Sequence, residues 1–183
     1  MDARALSRVT VLDVHGSAVR LGELWQANPA VIVWLRHYGC VFCREQALEM
    51  RRALPEIGKA GARLVFIGNG GPRYARAFRD SFAPDVTVLT DPDLRSYRTI
   101  GARSGILKTI GPQAWKAGIR ALRSGARQTS VKGHPYQQGA VMLLTPGDHI
   151  VYSYISQTAG DHPPVSSVLA ALRASTPRAA AGF

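Results

Sequence analysis

Only two cysteines occur in this 183-residue chain, and they stand three positions apart in Tyr38-Gly39-Cys40-Val41-Phe42-Cys43-Arg44. An apolar run, Ala30-Val31-Ile32-Val33-Trp34-Leu35, precedes them, and a helix-like run from Glu45 to Lys59 follows. Two thiols at the junction of a buried strand and a helix N-terminus describe a redox site. Unpaired backbone N–H groups at such a terminus favour negative charge. Thiolate, not thiol, is the nucleophile, and settings of this kind lower a cysteine pKa from about 8.5 to as low as ~3.5–7.5. Arg36, His37 and Arg44 would add positive charge beside the pair.

Two other readings of the cysteines stand beside this one. They can be half of a structural zinc site, but a closed site takes four ligands from Cys and His. No second Cys-x-x-Cys is present, and His15, His37, His134, His149 and His162 are scattered, so no metal is expected. They can also be inert core residues, since free Cys is often buried. Among other polar residues, His37 is either a proton donor or structural. Gln137 and Gln138 either face the cysteines or belong to a turn. Asp161 and His162 are expected to cap and brace the last helix. Asn69-Gly70-Gly71-Pro72 lacks the Gly-x-Gly-x-x-Gly and Gly-Lys patterns of nucleotide loops.

The elements that must position the pair follow from periodicity. Val9 to Val14 reads as a short strand, His15-Gly16-Ser17 as a turn, and Val19 to Trp25 as an extended piece followed by a helical turn. Ala30 to Leu35 is a continuous apolar run and thus a buried central strand. Glu45 to Lys59 carries Ala47, Met50, Leu54 and Ile57 on one helical face, with Pro55 expected to kink or end it. Ala62 to Gly68 and Val86 to Leu89 read as strands around a helix from Arg73 to Phe82. Asp91 and Pro92 are expected to cap and open a helix reaching Ile100. Gly139–Leu144 and His149–Ser156 form a hairpin, and Pro163 to Arg173 is the last helix.

Strand–helix alternation implies parallel strands with helices on both faces, and the closing hairpin makes the sheet mixed. The expected fold is α/β and thioredoxin-like: a central mixed β-sheet flanked by helices. The expected organisation is an N-terminal extension over 1–8, one domain over 9–173 and a fraying tail over 174–183.

Composition fits a globular chain, 46 % hydrophobic and 19 % charged. No apolar run reaches the roughly 18 residues of a membrane span, and Met1 to Ser7 has no apolar signal core. A dithiol without a disulfide framework suits a reducing compartment, so a cytoplasmic location is expected. The net charge is +11, and seven cations without an acid lie between Gly101 and Gly133. Within that stretch, 112–127 reads as a basic amphipathic helix. Trp115, Ile119, Leu122 and Ala126 form one stripe, and Lys116, Arg120, Arg123 and Arg127 the next. It is either a core helix with a solvated face or a surface for an anionic partner. No nucleic-acid-binding motif accompanies it.

Together these features resemble the alkyl hydroperoxide reductase/thiol-specific antioxidant family, and within it the peroxiredoxin-like 2 branch, which includes prostamide/prostaglandin F synthases. The resemblance rests on Leu35-Arg36-His37-Tyr38-Gly39-Cys40-Val41-Phe42-Cys43-Arg44. It continues in Asp91-Pro92-Asp93-Leu94-Arg95-Ser96-Tyr97 with Gly101, in Gln137-Gln138-Gly139, and in Ala159-Gly160-Asp161-His162-Pro163. It spans roughly residues 9–173.

The resemblance implies a peroxiredoxin-like reductase of a peroxide or endoperoxide O–O bond, working through a Cys40–Cys43 dithiol/disulfide cycle. Cys40, Cys43, Arg36 and Arg44 would be catalytic, and Tyr38, Phe42 and Gln138 would meet the substrate. Cys40 matches the attacking thiol of thioredoxin-type sites. Ordinary peroxiredoxins instead place Thr at the position of Cys40 and the attacking Cys at that of Cys43, so both orders stay open. No bound cofactor is expected; electrons would come from thioredoxin or a similar thiol donor, ultimately NADPH. Relatives often form dimers, so a homodimer is expected. The thioredoxin cis-proline and the peroxiredoxin Pro-x-x-x-Thr-x-x-Cys signature are both missing. The competing functions are a redox-responsive binding protein and a tailoring enzyme of a specialised metabolite using the same dithiol.

Overall fold

Successive side chains of a strand point to opposite faces of its sheet, and this alternation divides the interior of the molecule in two. The computed structural model of the chain describes residues 1–102, 137–158 and 160–175. Within them, β1 (Thr10–Leu12), β2 (Ala18–Arg20), β3 (Ala30–Trp34), β4 (Arg63–Gly68), β5 (Thr87–Thr90), β6 (Ala140–Thr145) and β7 (His149–Ile155) form one sheet ordered β2-β1-β5-β4-β3-β6-β7. β3, β4 and β5 run parallel, while β6 lies antiparallel to β3 and β7 to β6. The sheet is mixed and flanked by helices, a thioredoxin-like architecture.

The helices divide with the side chains. Val31, Val33 and Leu35 project to one face, where α2 (Val41–Arg52), α3 (Leu54–Lys59), α4 (Pro72–Phe82) and α6 (Val165–Ser175) close over them. Ala30, Ile32 and Trp34 project to the other, covered by α1 (Ala3–Ser7), a 3₁₀ turn at Leu21–Leu24, and α5 (Arg95–Thr99). All five residues of β3 are buried. Full burial of large apolar side chains contributes about 1.5–3 kcal/mol each, so the strand that leads to the cysteines is the most firmly held part of the sheet.

Pro55 ends the first helix as expected: α2 stops at Arg52, and α3 starts afresh with Pro55 in its first turn. The helix also starts earlier than its periodicity suggested, at Val41, which makes Cys40 its N-cap residue. One helix was not anticipated, and two expectations are corrected. A helix precedes Val9: α1 is capped by the Asp2 carboxylate on the N–H groups of Arg4 and Ala5, with Leu6 in the core. Asp91 does not cap α5 and Pro92 does not open it; the helix begins at Arg95, after Leu94 in a left-handed conformation (φ 58°). The Asp91 N–H is still bonded to Gly68 O (2.8 Å), so the chain leaves the sheet late. Asp161 does not cap the final helix. Its carboxylate accepts from Tyr154 Oη and from Gln157 N and braces the end of β7. The expected basic helix at 112–127 lies outside the described residues.

Candidate active site

The C-terminal ends of β3, β4 and β5 are tied together by two tyrosines. Tyr38 donates from its hydroxyl to Leu89 O (2.5 Å) and accepts from Gly68 N (3.1 Å). Its ring lies flat against Gly68, where a Cβ would come within 2.3 Å of it, so only glycine fits. Tyr97, fully buried, donates to Leu35 O (2.5 Å), with Ile67 O at 3.0 Å. A third link runs from Trp34 Nε1 to Ser96 Oγ (3.0 Å), and Ser96 donates from both N and Oγ to one Asp91 carboxylate oxygen. The Asp91–Tyr97 segment thus acts as a bracket beneath the strand ends. Asn69 completes it by donating from Nδ2 to Arg36 O (2.5 Å).

On this support the chain turns through Arg36–Gly39 into the first turn of α2. Both cysteines are free thiols and nearly buried, Cys40 at 5 % exposure and Cys43 at 3 %. The Arg36 N–H donates to Cys43 Sγ (3.2 Å). The Cys43 thiol in turn donates to Cys40. That bond, aided by the first-turn amide of Cys43 and the charge of Arg36, outweighs burial and pulls the Cys40 thiol down to about 7. Full capping geometry is not reached at Cys40. Burial, then the proton shared with Cys40 and its negative charge, pushes Cys43 up. The result is one ready thiolate and one held thiol.

The cationic side chains are placed differently from one another. Arg36 is buried and donates from Nε to Gln137 O (3.1 Å), which links the cysteine loop to the start of β6. Arg44, also buried, lies over the Phe82 ring, 4.8 Å from its centroid. His37 is buried, and its Nδ1 accepts from Gly39 N (3.2 Å), which leaves the proton of the neutral ring on Nε2. Burial, with Arg36 and Arg44 nearby, lowers His37 to about 4. It is therefore neutral at physiological pH and adds no positive charge to the pair, contrary to the expectation from sequence.

The structure brings Cys40, Cys43 and Arg36 together, with Arg44 next to Cys43 in sequence. Phe42 is half-buried and lines a small crevice of about 10 Å³ with Cys43, Arg36, Gln46, Gly139 and His162. A cavity of that size holds a water molecule at most. His162 Nε2 lies 3.4 Å from the Glu49 carboxylate and ties the crevice rim to α2. Gln138 is half-buried at the same end of the sheet. Its neighbour Gln137 is the buried one, donating from Nε2 to Ala102 O (3.0 Å). Tyr38, expected at the substrate, has its ring in the core and its hydroxyl committed to strand ends. The sequence reading missed Asn69, Ser96 and Tyr97 as supports; the signal was the Asp91–Tyr97 segment, noted only as a helix start and for its resemblance. Among the described residues no three of His, Cys, Asp and Glu gather as a metal site, and no helix is long and apolar enough to cross a membrane.

Comparison with known proteins agrees with this construction. The profile of the AhpC/TSA antioxidant enzyme family matches residues 49–158. The chain is 32 % identical over 178 residues to the thioredoxin-like protein AAED1, chloroplastic, of Arabidopsis thaliana, covering 92 % of this chain and 72 % of that one. It is 27 % identical to human (Homo sapiens) peroxiredoxin-like 2C (91 % and 78 % covered) and 28 % identical to prostamide/prostaglandin F synthase of Sus scrofa (87 % and 81 %). Among solved structures, peroxiredoxin Q of Xanthomonas campestris superposes with a TM-score of 0.69 at 17 % identity, covering 96 % of each chain. Peroxidoxin BcpB of Mycobacterium tuberculosis gives 0.68 at 17 % identity, covering 91 % of this chain and 92 % of the other. With a buried dithiol at the head of α2, a thioredoxin-like sheet behind it and relatives that align over most of its length, the chain belongs to the AhpC/TSA antioxidant enzyme family as a peroxiredoxin-like thiol oxidoreductase.

Proposed function

We propose that the chain reduces a peroxide or endoperoxide O–O bond through a Cys40–Cys43 dithiol/disulfide cycle. The Cys40 thiolate attacks one oxygen and the O–O bond breaks; the other oxygen leaves as an alkoxide or hydroxide and takes up a proton, while Cys40 becomes a sulfenic acid with a hydroperoxide or a sulfenate ester with an endoperoxide, whose attacked oxygen stays on carbon. The Cys43 sulfur then attacks the oxidised Cys40 sulfur, the S–O bond breaks, and the oxygen leaves with the Cys43 proton, as water from the sulfenic acid or as the product alcohol from the sulfenate ester. A thioredoxin-type donor, drawing ultimately on NADPH, returns the disulfide to the dithiol by thiol exchange. The observation that carries this reading is the pair of free, buried sulfurs at the head of α2, with the Arg36 N–H on Cys43 Sγ at 3.2 Å; Cys40 lowered and Cys43 raised accord with it. Arg36 would stabilise charge on the thiolate and the departing oxygen, with Arg44 in support. Phe42 and Gln138 would form part of the substrate wall. The likeness to prostamide/prostaglandin F synthase supports including a cyclic endoperoxide among the substrates to be tested. A reducing compartment suits the cycle, and dimer formation and an anionic partner at 112–127 belong to the same proposal.

The test is single-turnover oxidation of the reduced protein with hydrogen peroxide, an organic hydroperoxide and a cyclic endoperoxide, followed by mass spectrometry and then by thioredoxin, thioredoxin reductase and NADPH. Expected are loss of two hydrogens at the pair and sustained NADPH consumption. Cys43→Ser should stop with one oxygen added at Cys40 by a hydroperoxide, or with the substrate joined to Cys40 as a sulfenate ester by the endoperoxide, whereas Cys40→Ser should not react. The reverse pattern would assign attack to Cys43. Full turnover in both variants, or a single oxidation without recycling, would overturn the enzyme reading.

A further inference from the structure

The peptide group between Leu35 and Arg36 is hydrogen-bonded at both ends. Its carbonyl accepts from the Tyr97 hydroxyl (2.5 Å), and its N–H donates to Cys43 Sγ (3.2 Å). Both bonds are buried, and the peptide is trans. Donation to an amide oxygen draws electron density from the nitrogen and makes its N–H a stronger donor. Chains of hydrogen bonds in a low-dielectric interior reinforce one another in this way. The same bond fixes the peptide plane, and therefore the direction in which the N–H points. Tyr97 does not touch either sulfur by hydrogen bond; it acts on Cys43 through one rigid amide. From there the line continues, because the Cys43 thiol donates to Cys40.

We propose that Tyr97 is a positioning residue of the redox site, aiming and polarising the Leu35–Arg36 amide so that it stabilises negative charge on Cys43. That charge develops when Cys43 closes the disulfide on a Cys40 sulfenic acid, and again when an incoming thiolate attacks Cys40 Sγ and Cys43 leaves. In the closing step the S–S bond forms, the sulfenic S–O bond breaks, and water departs with the Cys43 proton. No further oxidant is needed, since the sulfenic acid is the oxidant. An N–H bond to a thiolate is stronger than one to a thiol, so the amide favours the deprotonated Cys43 that attacks and the Cys43 thiolate that leaves. The bracket from Asp91 through Ser96 holds Tyr97 in place, which gives the Asp91–Tyr97 segment a part in the chemistry.

This inference rests on the dithiol cycle proposed above, and two readouts separate them. The first needs no peroxide: alkylation of Cys43 by iodoacetamide across pH in a Cys40→Ser background. The second is the lifetime of the Cys40 sulfenic acid after one equivalent of hydrogen peroxide. Tyr97→Phe keeps the ring and removes the donor. Polarisation of ~10–30 % on a charged hydrogen bond corresponds to about 1.3- to fivefold in rate. Tyr97→Phe should therefore slow Cys43 alkylation near pH 8 by about 1.3- to fivefold, with its pH profile moved upward, and lengthen the sulfenic lifetime by a similar factor. Thr90→Val removes another buried hydroxyl, one bonded to Gly68 O and Gly70 O, and should move neither readout. A fluorinated tyrosine placed at position 97 alone keeps the shape, strengthens the donor and should shift both readouts the opposite way; it also decides the matter should Tyr97→Phe not fold. An unchanged Cys43 profile in Tyr97→Phe, or an equal slowing in Thr90→Val, would overturn the role of Tyr97. A wild-type chain that forms neither sulfenic acid nor disulfide would overturn the cycle, while the alkylation profile would still decide the amide link.

Discussion

At the scale of single residues, the site depends on which group holds a proton. The first cause of the lowered Cys40 thiol is the hydrogen bond from Cys43. Cys43→Ala should therefore raise the Cys40 pKa, while Cys43→Ser, which keeps a donor, should raise it less. Alkylation of Cys40 followed by mass spectrometry should show half-maximal rate near pH 7 in the wild type and higher in Cys43→Ala. An unmoved midpoint would remove Cys43 as the cause. His37 makes a second prediction. Its folded pKa of about 4 lies below its ordinary 6.5, so the unfolded chain binds a proton that the folded chain refuses. The resulting stability is fully present above pH 6.5 and is lost as pH falls through about 4. His37→Gln should flatten the decline between pH 7 and pH 5 in denaturant titrations; an equally steep decline would assign it to other groups. The placing of the two cysteines beside Arg36 at a strand–helix junction was legible in the sequence from residue type and spacing. Tyr38 was not legible, because an aromatic residue beside a reactive pair reads equally well as substrate wall or as core. Only Gly68, thirty positions away, shows that its ring lies flat on a neighbouring strand.

At the scale of elements, the strands and the long helices were readable from periodicity because each buries a continuous face. The short pieces were not. α1 has only five residues, too few to show a period, although its cap Asp2 and buried Leu6 were visible. α5 begins late because Asp91 remains hydrogen-bonded to β4 after β5 ends, so the chain turns at Leu94 before the helix starts. The Asp91 carboxylate, outside the cap position, still reaches forward to accept from the Ser96 N–H, a contact that spacing alone does not reveal. The close approach at Gly68 allows a sharp test against another glycine. Gly68→Ala forces a Cβ into the Tyr38 ring and should cost about 1–3 kcal/mol, roughly 2–12 °C in Tm for a chain of this size. Gly58 lies in α3 with nothing within 4 Å of an added Cβ, so Gly58→Ala should stabilise by about 0.5–1 kcal/mol. Thermal melts of the two variants should move in opposite directions; equal shifts would show that the ring does not lie where the structure places it.

At the scale of the whole molecule, the redox pair and the last helix share one interior. Cys40 and Cys43 belong to the same buried cluster as Met50, Val141, Val168 and Leu172, so α6 closes the face from which α2 presents the cysteines. The mixed sheet and its two covered faces were legible in the order of the elements; this sharing was not, because α6 lies more than a hundred residues from the cysteines in sequence. Two adjacent residues of α6 separate packing from surface charge. Leu172 is 1 % exposed, and truncating a buried leucine costs about 2–5 kcal/mol through lost contacts and the cavity left behind. Arg173 forms an exposed pair with Glu56 at 2.6 Å, and such pairs contribute about 0–1 kcal/mol. Leu172→Ala should therefore lower Tm by roughly 4–20 °C and Arg173→Ala by no more than a few degrees. Because the lost packing belongs to the cluster that shields the thiols, Leu172→Ala should also speed alkylation of Cys43 at temperatures where the chain is still folded, and Arg173→Ala should not. If Leu172→Ala melted early yet left Cys43 as slow to react as before, α6 would support the fold without guarding the site, and shielding of the pair would have to come from α2 and the strand ends alone.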